Sequence, residues 1–346
     1  METILEIKNL TKYYGKVKGV ENLSLSLNRG EIFGFIGPNG AGKSTTIRSV
    51  MNLINKDSGS VLFCGKELTR DDVEAKSRIG YLPSEVFLYD DLTVKGIFDH
   101  HESFYRRFER AVKQEATATP ANGAAPAGTP AKPALSIHEK RQDLVARLKL
   151  DESRKIEDLS LGNLKKVGIV LALMHNPELI IMDEPTSGLD PIMQNVFYEL
   201  LREERERGNT VFYSTHILSE VSKICDRVGI IRNGELIKAG PVDEISDRQL
   251  TFVTITSDEI DAIVAALNEK TGEATPTQAP SGAATPAKEP GLKIISRDGD
   301  TVRFANNLPD DELIKKIAAF SIRKILIEEA TLEEMFMHYY EEGQDD

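Results

Sequence analysis

The sequence predicts an α/β protein: a mixed-sheet core with an antiparallel β subdomain and an α-helical subdomain, followed by a small α+β C-terminal domain. Three observations lead there. Ile32-Phe33-Gly34-Phe35-Ile36, Leu179 to Asp183 and Thr210 to Ser214 are short apolar or β-branched runs of the kind buried on both faces of a parallel sheet. Residues 3–10 and 20–27 instead alternate apolar and polar, as antiparallel strands do. The last hundred or so residues run strand, helix, strand, strand, helix, strand, and a final helix carrying Leu332, Met335, Phe336, Tyr339 and Tyr340, without a cluster of catalytic residue types.

The chain has 346 residues, enough for two domains with separate cores, expected at 1–245 and 246–346. Its net charge is −12 with no Lys/Arg block, which argues against a broad grip on nucleic acid. Cys64 and Cys225 are the two cysteines and form no C-x-x-C, fitting reduced buried thiols in a cytosolic protein. The longest apolar stretches, such as Val167 to Met174, fall far short of the roughly 20 residues that cross a bilayer, and Met1-Glu2-Thr3 opens no signal peptide. A membrane role therefore requires a partner.

Taken in order, the two alternating strands enclose Lys12-Tyr13-Tyr14-Gly15-Lys16, where an aromatic ahead of a tight turn suits either strand packing or stacking on a base. Next comes Gly37-Pro38-Asn39-Gly40-Ala41-Gly42-Lys43-Ser44-Thr45, between an apolar strand and a stretch with no helix breaker. That context makes the G-x-x-x-x-G-K-[ST] pattern a phosphate site. Gly40 and Gly42 permit a tight loop whose N–H groups converge on phosphate oxygens, and the helix behind adds its dipole. Lys43 is expected to reach the β- and γ-phosphates and Ser44 to ligate Mg²⁺.

Ser58 to Phe63 and Arg78 to Pro83 read as strands. From Thr93 the period becomes helical, with Ile97, Phe98, His101, Phe104, Tyr105 and Phe108 on one face. His100-His101 has no matching ligands nearby and reads as helix surface and core. Residues 115–136 and 273–291 are Ala/Pro/Thr/Gly-rich, hold 8 of the 15 prolines, and read as flexible inserts. The helical subdomain spans about 84–175, with helical spacing resuming at Ile137 and again after Ser160, an N-cap that leaves the following amides open to an anion.

Leu179 to Asp183 reads as a buried strand ending in two carboxylates. Beside a phosphate loop these suggest Mg²⁺ chemistry, Asp183 toward the metal and Glu184 toward a water, the other reading being a cap on the next turn. Thr186-Ser187-Gly188-Leu189-Asp190-Pro191 turns into a helix, and His216 stands at the carboxyl end of the strand that follows, facing the ligand crevice. Residues 228–240 form a hairpin about Asn233-Gly234.

These motifs, in this order over most of residues 1–240, resemble the ATP-binding subunits of ABC transporters, which have a P-loop NTPase core. The phosphate loop resembles Walker A, Leu179 to Glu184 Walker B with its catalytic glutamate, Ser187 to Asp190 the D-loop, and Ser160 with Gly162 the signature motif. Tyr14 resembles the adenine-stacking aromatic and His216 the switch histidine. The resemblance implies ATP and Mg²⁺ as ligands and a head-to-tail dimer, of two copies or of two related chains. Each γ-phosphate would then lie between the Lys43 loop of one subunit and Ser160 and Gly162 of the other. It further implies that Glu184 polarises the attacking water, that His216 holds phosphate and water, and that a separate transmembrane permease keeps the chain on the cytoplasmic face of the membrane.

Two motifs depart from the family pattern. Leu161 and Asn163 replace a glycine and the glutamine of Leu-Ser-Gly-Gly-Gln, and Ser84-Glu85 stands where a Mg²⁺-sensing glutamine is usual, leaving Glu85 or a water for that contact. Val86-Phe87-Leu88-Tyr89 lies where the family docks its permease, core packing being the other reading. The tail Glu329 to Phe336 resembles exporters of the ABC-2 class, among them antibiotic and peptide-resistance exporters. A soluble ABC ATPase acting on ribosomes or DNA is the first alternative, against which stands the single cassette without a coiled coil. A regulatory subunit that binds nucleotide without hydrolysis is the second, against which stand Glu184 and His216.

Overall fold

The computed structural model describes residues 2–118, 135–245, 251–268, 293–306 and 310–329. Most of the first expected insert, all of the second, and the closing helix expected around Leu332 to Tyr340 lie outside the described residues. The chain divides into two compact units, Met1–Val242 and Asp243–Asp346.

In unit 1, β1 (Thr3–Tyr14) and β2 (Val17–Asn28) form a long antiparallel pair. β3 (Ile32–Ile36) then runs through the phosphate loop into α1 (Lys43–Val50). β4 (Ser58–Phe63) and the two-residue β5 (Lys66–Glu67) complete a four-stranded sheet of order β2-β1-β4-β5. α2 (Val73–Ser77) leads to β6 (Ile79–Leu82), which proline 83 ends.

The helical region follows: α3 (Val94–Ala118), α4 (Ile137–Arg147) and α5 (Leu161–Leu173). α3 runs to Ala118, past the point where the composition predicted a loose segment, because no proline intervenes before position 120. At the far end of that segment Ser136 and Glu139 form a capping box on α4. Phe104, assigned by periodicity to the buried face, is 55 % exposed; Phe98 and Tyr105 supply the inward aromatics.

β7 (Leu179–Asp183), α6 (Pro191–Glu206), β8 (Thr210–Thr215), α7 (Leu218–Ile224), β9 (Arg227–Arg232) and β10 (Glu235–Pro241) complete the second sheet, of order β10-β9-β3-β8-β7-β6. The four pairings within β9-β3-β8-β7-β6 are parallel, and β10 joins β9 antiparallel through a turn with Asn233 at φ 48° and Gly234 at φ 81°.

Each central strand is apolar on both faces because it divides two cores. Ile180 and Met182 of β7 face the cluster with Phe98, Val170 and Phe197, while Leu179 and Ile181 face that with Leu10, Phe35 and Ile47. Parallel strands sandwiched in this way put all their carboxyl ends, and the loops after β3, β7 and β8, on one edge.

After α8 (Val242–Ile245), unit 2 contains β11 (Thr251–Thr256), α9 (Ile260–Asn268), β12 (Lys293–Asp298), β13 (Thr301–Asn306), α10 (Asp310–Ile317) and β14 (Lys324–Glu329). The sheet order β12-β13-β11-β14, antiparallel throughout, is the βαββαβ arrangement of ferredoxin-like folds. Val253, Ile255, Val302 and Phe304 on one sheet face pack against Ile260, Ile263, Leu313 and Ile317 of the helices.

Candidate active site

The loop between β3 and α1 owes its shape to glycine. Gly42 is the N-cap of α1 at φ 109°, without a side-chain cap, and a Cβ there would lie 2.6 Å from Gly19 O. The first amides of α1 are thus left open toward a cavity of about 280 Å³. Tyr14, Lys18, Gly19, Asn39, Gly40, Gly42, Lys43, Ser44, Thr45 and Glu184 line it. Gly37 and Pro38 turn their carbonyls to Lys43, whose Nζ donates to both, at 2.7 and 3.2 Å. Ala41 is buried in the core behind the loop. Tyr14 stands half exposed at the cavity wall with Lys12 Nζ 5.7 Å from its ring centre.

At the ends of β7 and β8 the chain gathers its acidic groups. Ser214 Oγ donates to Asp183 Oδ1 at 3.0 Å, while Oδ2, buried, accepts from no donor. Glu184 adopts the left-handed region at φ 48°, its N–H donating to Ser214 O at 3.0 Å. This strained backbone swings its carboxyl toward the phosphate loop. There Oε1 has no hydrogen-bond donor but lies 3.3 Å from Lys43 Nζ, and Oε2 accepts from His216 Nδ1 at 2.8 Å. A buried carboxylate oxygen without a donor, such as Asp183 Oδ2, is costly to leave so, and with the Ser44 hydroxyl it offers oxygen ligands suited to a hard divalent cation. Among the described residues no group of three or more His, Cys, Asp or Glu side chains is arranged to hold a metal, so phosphate oxygens and water would complete such a shell.

The other predicted residues lie elsewhere. Ser160 is the exposed N-cap of α5, its hydroxyl accepting from Asn163 N at 3.3 Å. Neither it nor Gly162 lines the phosphate-loop cavity. Gly162 abuts the turn after Glu184: a Cβ at 162 would lie 2.6 Å from Gly188 O. Asp190 caps α6, accepting from Ile192 N and Met193 N, both at 3.0 Å. Glu85 is exposed and lines a second cavity of about 620 Å³ with Phe87, Leu88, Leu161 and Gly188, not that of the phosphate loop. Phe87 is 84 % exposed and Tyr89 68 %, whereas Val86 and Leu88 pack on the core, so core packing accounts for half of the Val86 to Tyr89 run.

Sequence reasoning missed Lys18 and Gly19, which the β1–β2 hairpin brings to the phosphate cavity, and Lys165 on α5. The Lys165 ammonium is buried and donates to Ser84 O at 2.7 Å and Pro83 O at 3.3 Å. Burial holds its pKa below the ordinary lysine range, against the pull of Asp183, Glu184 and Glu85. A lysine at the fifth position of a helix with an apolar face is the available signal.

Comparison with known proteins gives a consistent result. A family model described as ABC transporter matches residues 20–187. The linearmycin resistance ATP-binding protein LnrL of Bacillus subtilis (strain 168) is 37 % identical over 247 residues, 71 % of either chain. The bacitracin transport ATP-binding protein BcrA of Bacillus licheniformis is 34 % identical over 274 residues, 76 % of this chain and 78 % of that one. A solved ATP-binding subunit of an ABC transporter superposes with a TM-score of 0.57 at 29 % identity, covering 70 % of this chain and 91 % of the other.

Proposed function

The chain belongs to the ABC transporter family of ATP-binding proteins, and from that premise we propose that it hydrolyses ATP as half of a head-to-tail dimer to drive export through a separate membrane permease. The observation that carries the hydrolytic part is the meeting of Lys43 and His216 on the Glu184 carboxylate, which lines the phosphate-loop cavity, beside a buried Asp183 oxygen that has no donor.

In this mechanism the α1 amides and Lys43 bind the phosphates and neutralise the charge that develops as the terminal P–O bond breaks. Ser44 and Asp183 would hold Mg²⁺, which when bound would supply further charge neutralisation. Glu184 accepts a hydrogen bond from the attacking water and orients it in line. His216 holds Glu184 in place and contacts the γ-phosphate, and Tyr14 offers a face to the adenine. Ser160, exposed and not part of its own phosphate-loop cavity, is available to a second subunit; this is the reason for proposing a dimer in which Ser160 and Gly162 close the partner's site.

Among the described residues no helix is long and apolar enough to cross a membrane, so transport requires an integral partner. The 620 Å³ cavity rimmed by Phe87 and Leu161 is the surface proposed to receive it, on the cytoplasmic face. The resistance and transport named for LnrL and BcrA support export as the direction. Purified chain is expected to hydrolyse ATP in the presence of Mg²⁺ and, when drawn from native membranes, to bring one integral membrane protein with it. Recovery with ribosomes and not with membranes would overturn the transport reading.

A further inference from the structure

Directly behind the site lies a charged group that hydrolysis as described above does not use. Glu220 of α7 is buried, and its two oxygens accept from four hydroxyls: Thr186 Oγ1 at 2.6 Å and Tyr198 Oη at 3.3 Å on Oε1, Tyr213 Oη at 2.7 Å and Thr215 Oγ1 at 2.8 Å on Oε2. No lysine, arginine or histidine forms an ion pair with it among the described residues. A carboxyl group in such a place is expensive to bury, and an apolar side chain would fill the same space at lower cost. What the carboxylate adds is direction, because hydroxyls that donate to it are fixed in rotation.

Two of the four donors flank the chemistry. Thr215 directly precedes His216, and its oxygen also accepts from Ile217 N at 3.0 Å, so one hydroxyl clasps the backbone on both sides of the histidine. Thr186 follows Glu184 by two residues, with only Pro185 between. The path from Glu184 through His216, Thr215, Glu220 and Thr186 back to Glu184 is therefore a closed ring, sealed by the 2.8 Å contact of His216 Nδ1 with Glu184 Oε2. Tyr213 and Tyr198 anchor the ring to β8 and α6. Burial and the Glu220 carboxylate push both phenols upward in pKa, keeping them protonated donors.

We propose that Glu220 is a positioning residue, which sets the distance between His216 and Glu184 by holding Thr215 and Thr186 on one carboxylate. This rests on the hydrolytic role given above to Glu184 and His216. It acts on turnover and not on nucleotide capture, since none of the four hydroxyls lines the phosphate-loop cavity.

The test uses the full chain. Glu220→Gln, Thr215→Val and Thr186→Val are compared with wild type for kcat, KM for ATP, nucleotide binding and Tm, and Glu220→Gln is repeated on a His216→Ala background. In Glu220→Gln, kcat is expected to fall about tenfold or more, with KM within about twofold and nucleotide binding kept. The two threonine variants are expected to fall less, in the same direction. On the His216→Ala background the further loss should be under about twofold, because the residue acts through a group already gone. An unchanged kcat in Glu220→Gln, or the full loss repeated without His216, would overturn the proposal. If Glu220→Gln does not fold, the threonine variants decide: wild-type kcat in both overturns it. A wild-type chain inert toward ATP would instead remove the hydrolytic reading itself, and the proposal with it.

Discussion

Lys43 Nζ lies 3.3 Å from Glu184 Oε1, so the cation suited to phosphate and the carboxylate suited to water are paired with each other across the cavity. The same ammonium donates to Gly37 O at 2.7 Å. Entering phosphates must take over these contacts, so one ion pair both fills the site beforehand and opposes nucleotide entry.

Glu184→Gln removes one charge of that pair together with the group that orients water. Turnover is expected to fall by about 100-fold or more, while ATP affinity holds or rises and ATP-loaded chain elutes as a dimer. Steady-state hydrolysis and gel filtration with ATP check this, and undiminished hydrolysis would refute the role given to Glu184.

A site shared between two subunits predicts complementation. Lys43→Ala alone should lose most ATP affinity, and Ser160→Arg alone should block closure while leaving the phosphate loop untouched. Mixed, the two variants should regain turnover, since each heterodimer holds one site in which both contributions are wild type. If the mixture stays as inactive as its components, the head-to-tail arrangement is wrong.

Gly162→Ala puts a methyl group 2.6 Å from Gly188 O. The overlap is expected to cost about 1–3 kcal/mol and to lower Tm by several degrees. A Tm equal to wild type would show that α5 and the 186–190 turn do not need their close approach.

The histidines between α3 and the end of α5 predict acid sensitivity. His175 stacks on Tyr105 at 4.1 Å and His101 lies 5.9 Å away. Burial pushes His101 down to about 4 and His175 to about 3, from an ordinary 6.5. The unfolded chain therefore binds more protons than the folded one below pH 6.5, and stability should be lost as pH falls from there toward those values. Tm measured from pH 8 to 4.5 should fall less steeply in His175→Gln than in wild type, though from a lower start. Parallel curves would remove the histidine from the cause.

The parts of this molecule that sequence made legible are those whose chemistry is local. Gly37 to Thr45 announces its loop because glycine, lysine and serine must follow one another there, and the strands before Asp183 and His216 announce themselves by unbroken apolar character. What stayed hidden depends on pairing at a distance. The four donors to Glu220 come from positions 186, 198, 213 and 215, and no spacing rule links a turn, a helix and two residues of one strand. Lys165 carries no sequence signal of its partners, because Pro83 and Ser84, whose carbonyls accept from it, lie some eighty residues away. Phe104 was misplaced because helical period marks which residues share a face but not how far a packing partner extends along it. Of the two candidates for the Mg²⁺-sensing contact after Leu82-Pro83, Glu85 or a water, Glu85 lines the other cavity and not that of the phosphate loop.

The contact of Gly162 with Gly188 joins the start of α5 to a turn only four residues beyond Glu184. In the proposed dimer, α5 reports on the partner's nucleotide while Glu184 serves the nucleotide on its own loop. With no side chain between the two backbones to absorb a displacement, closing one catalytic chamber would nudge the trigger of the other, and the pair would fire as a coordinated engine instead of two independent ones.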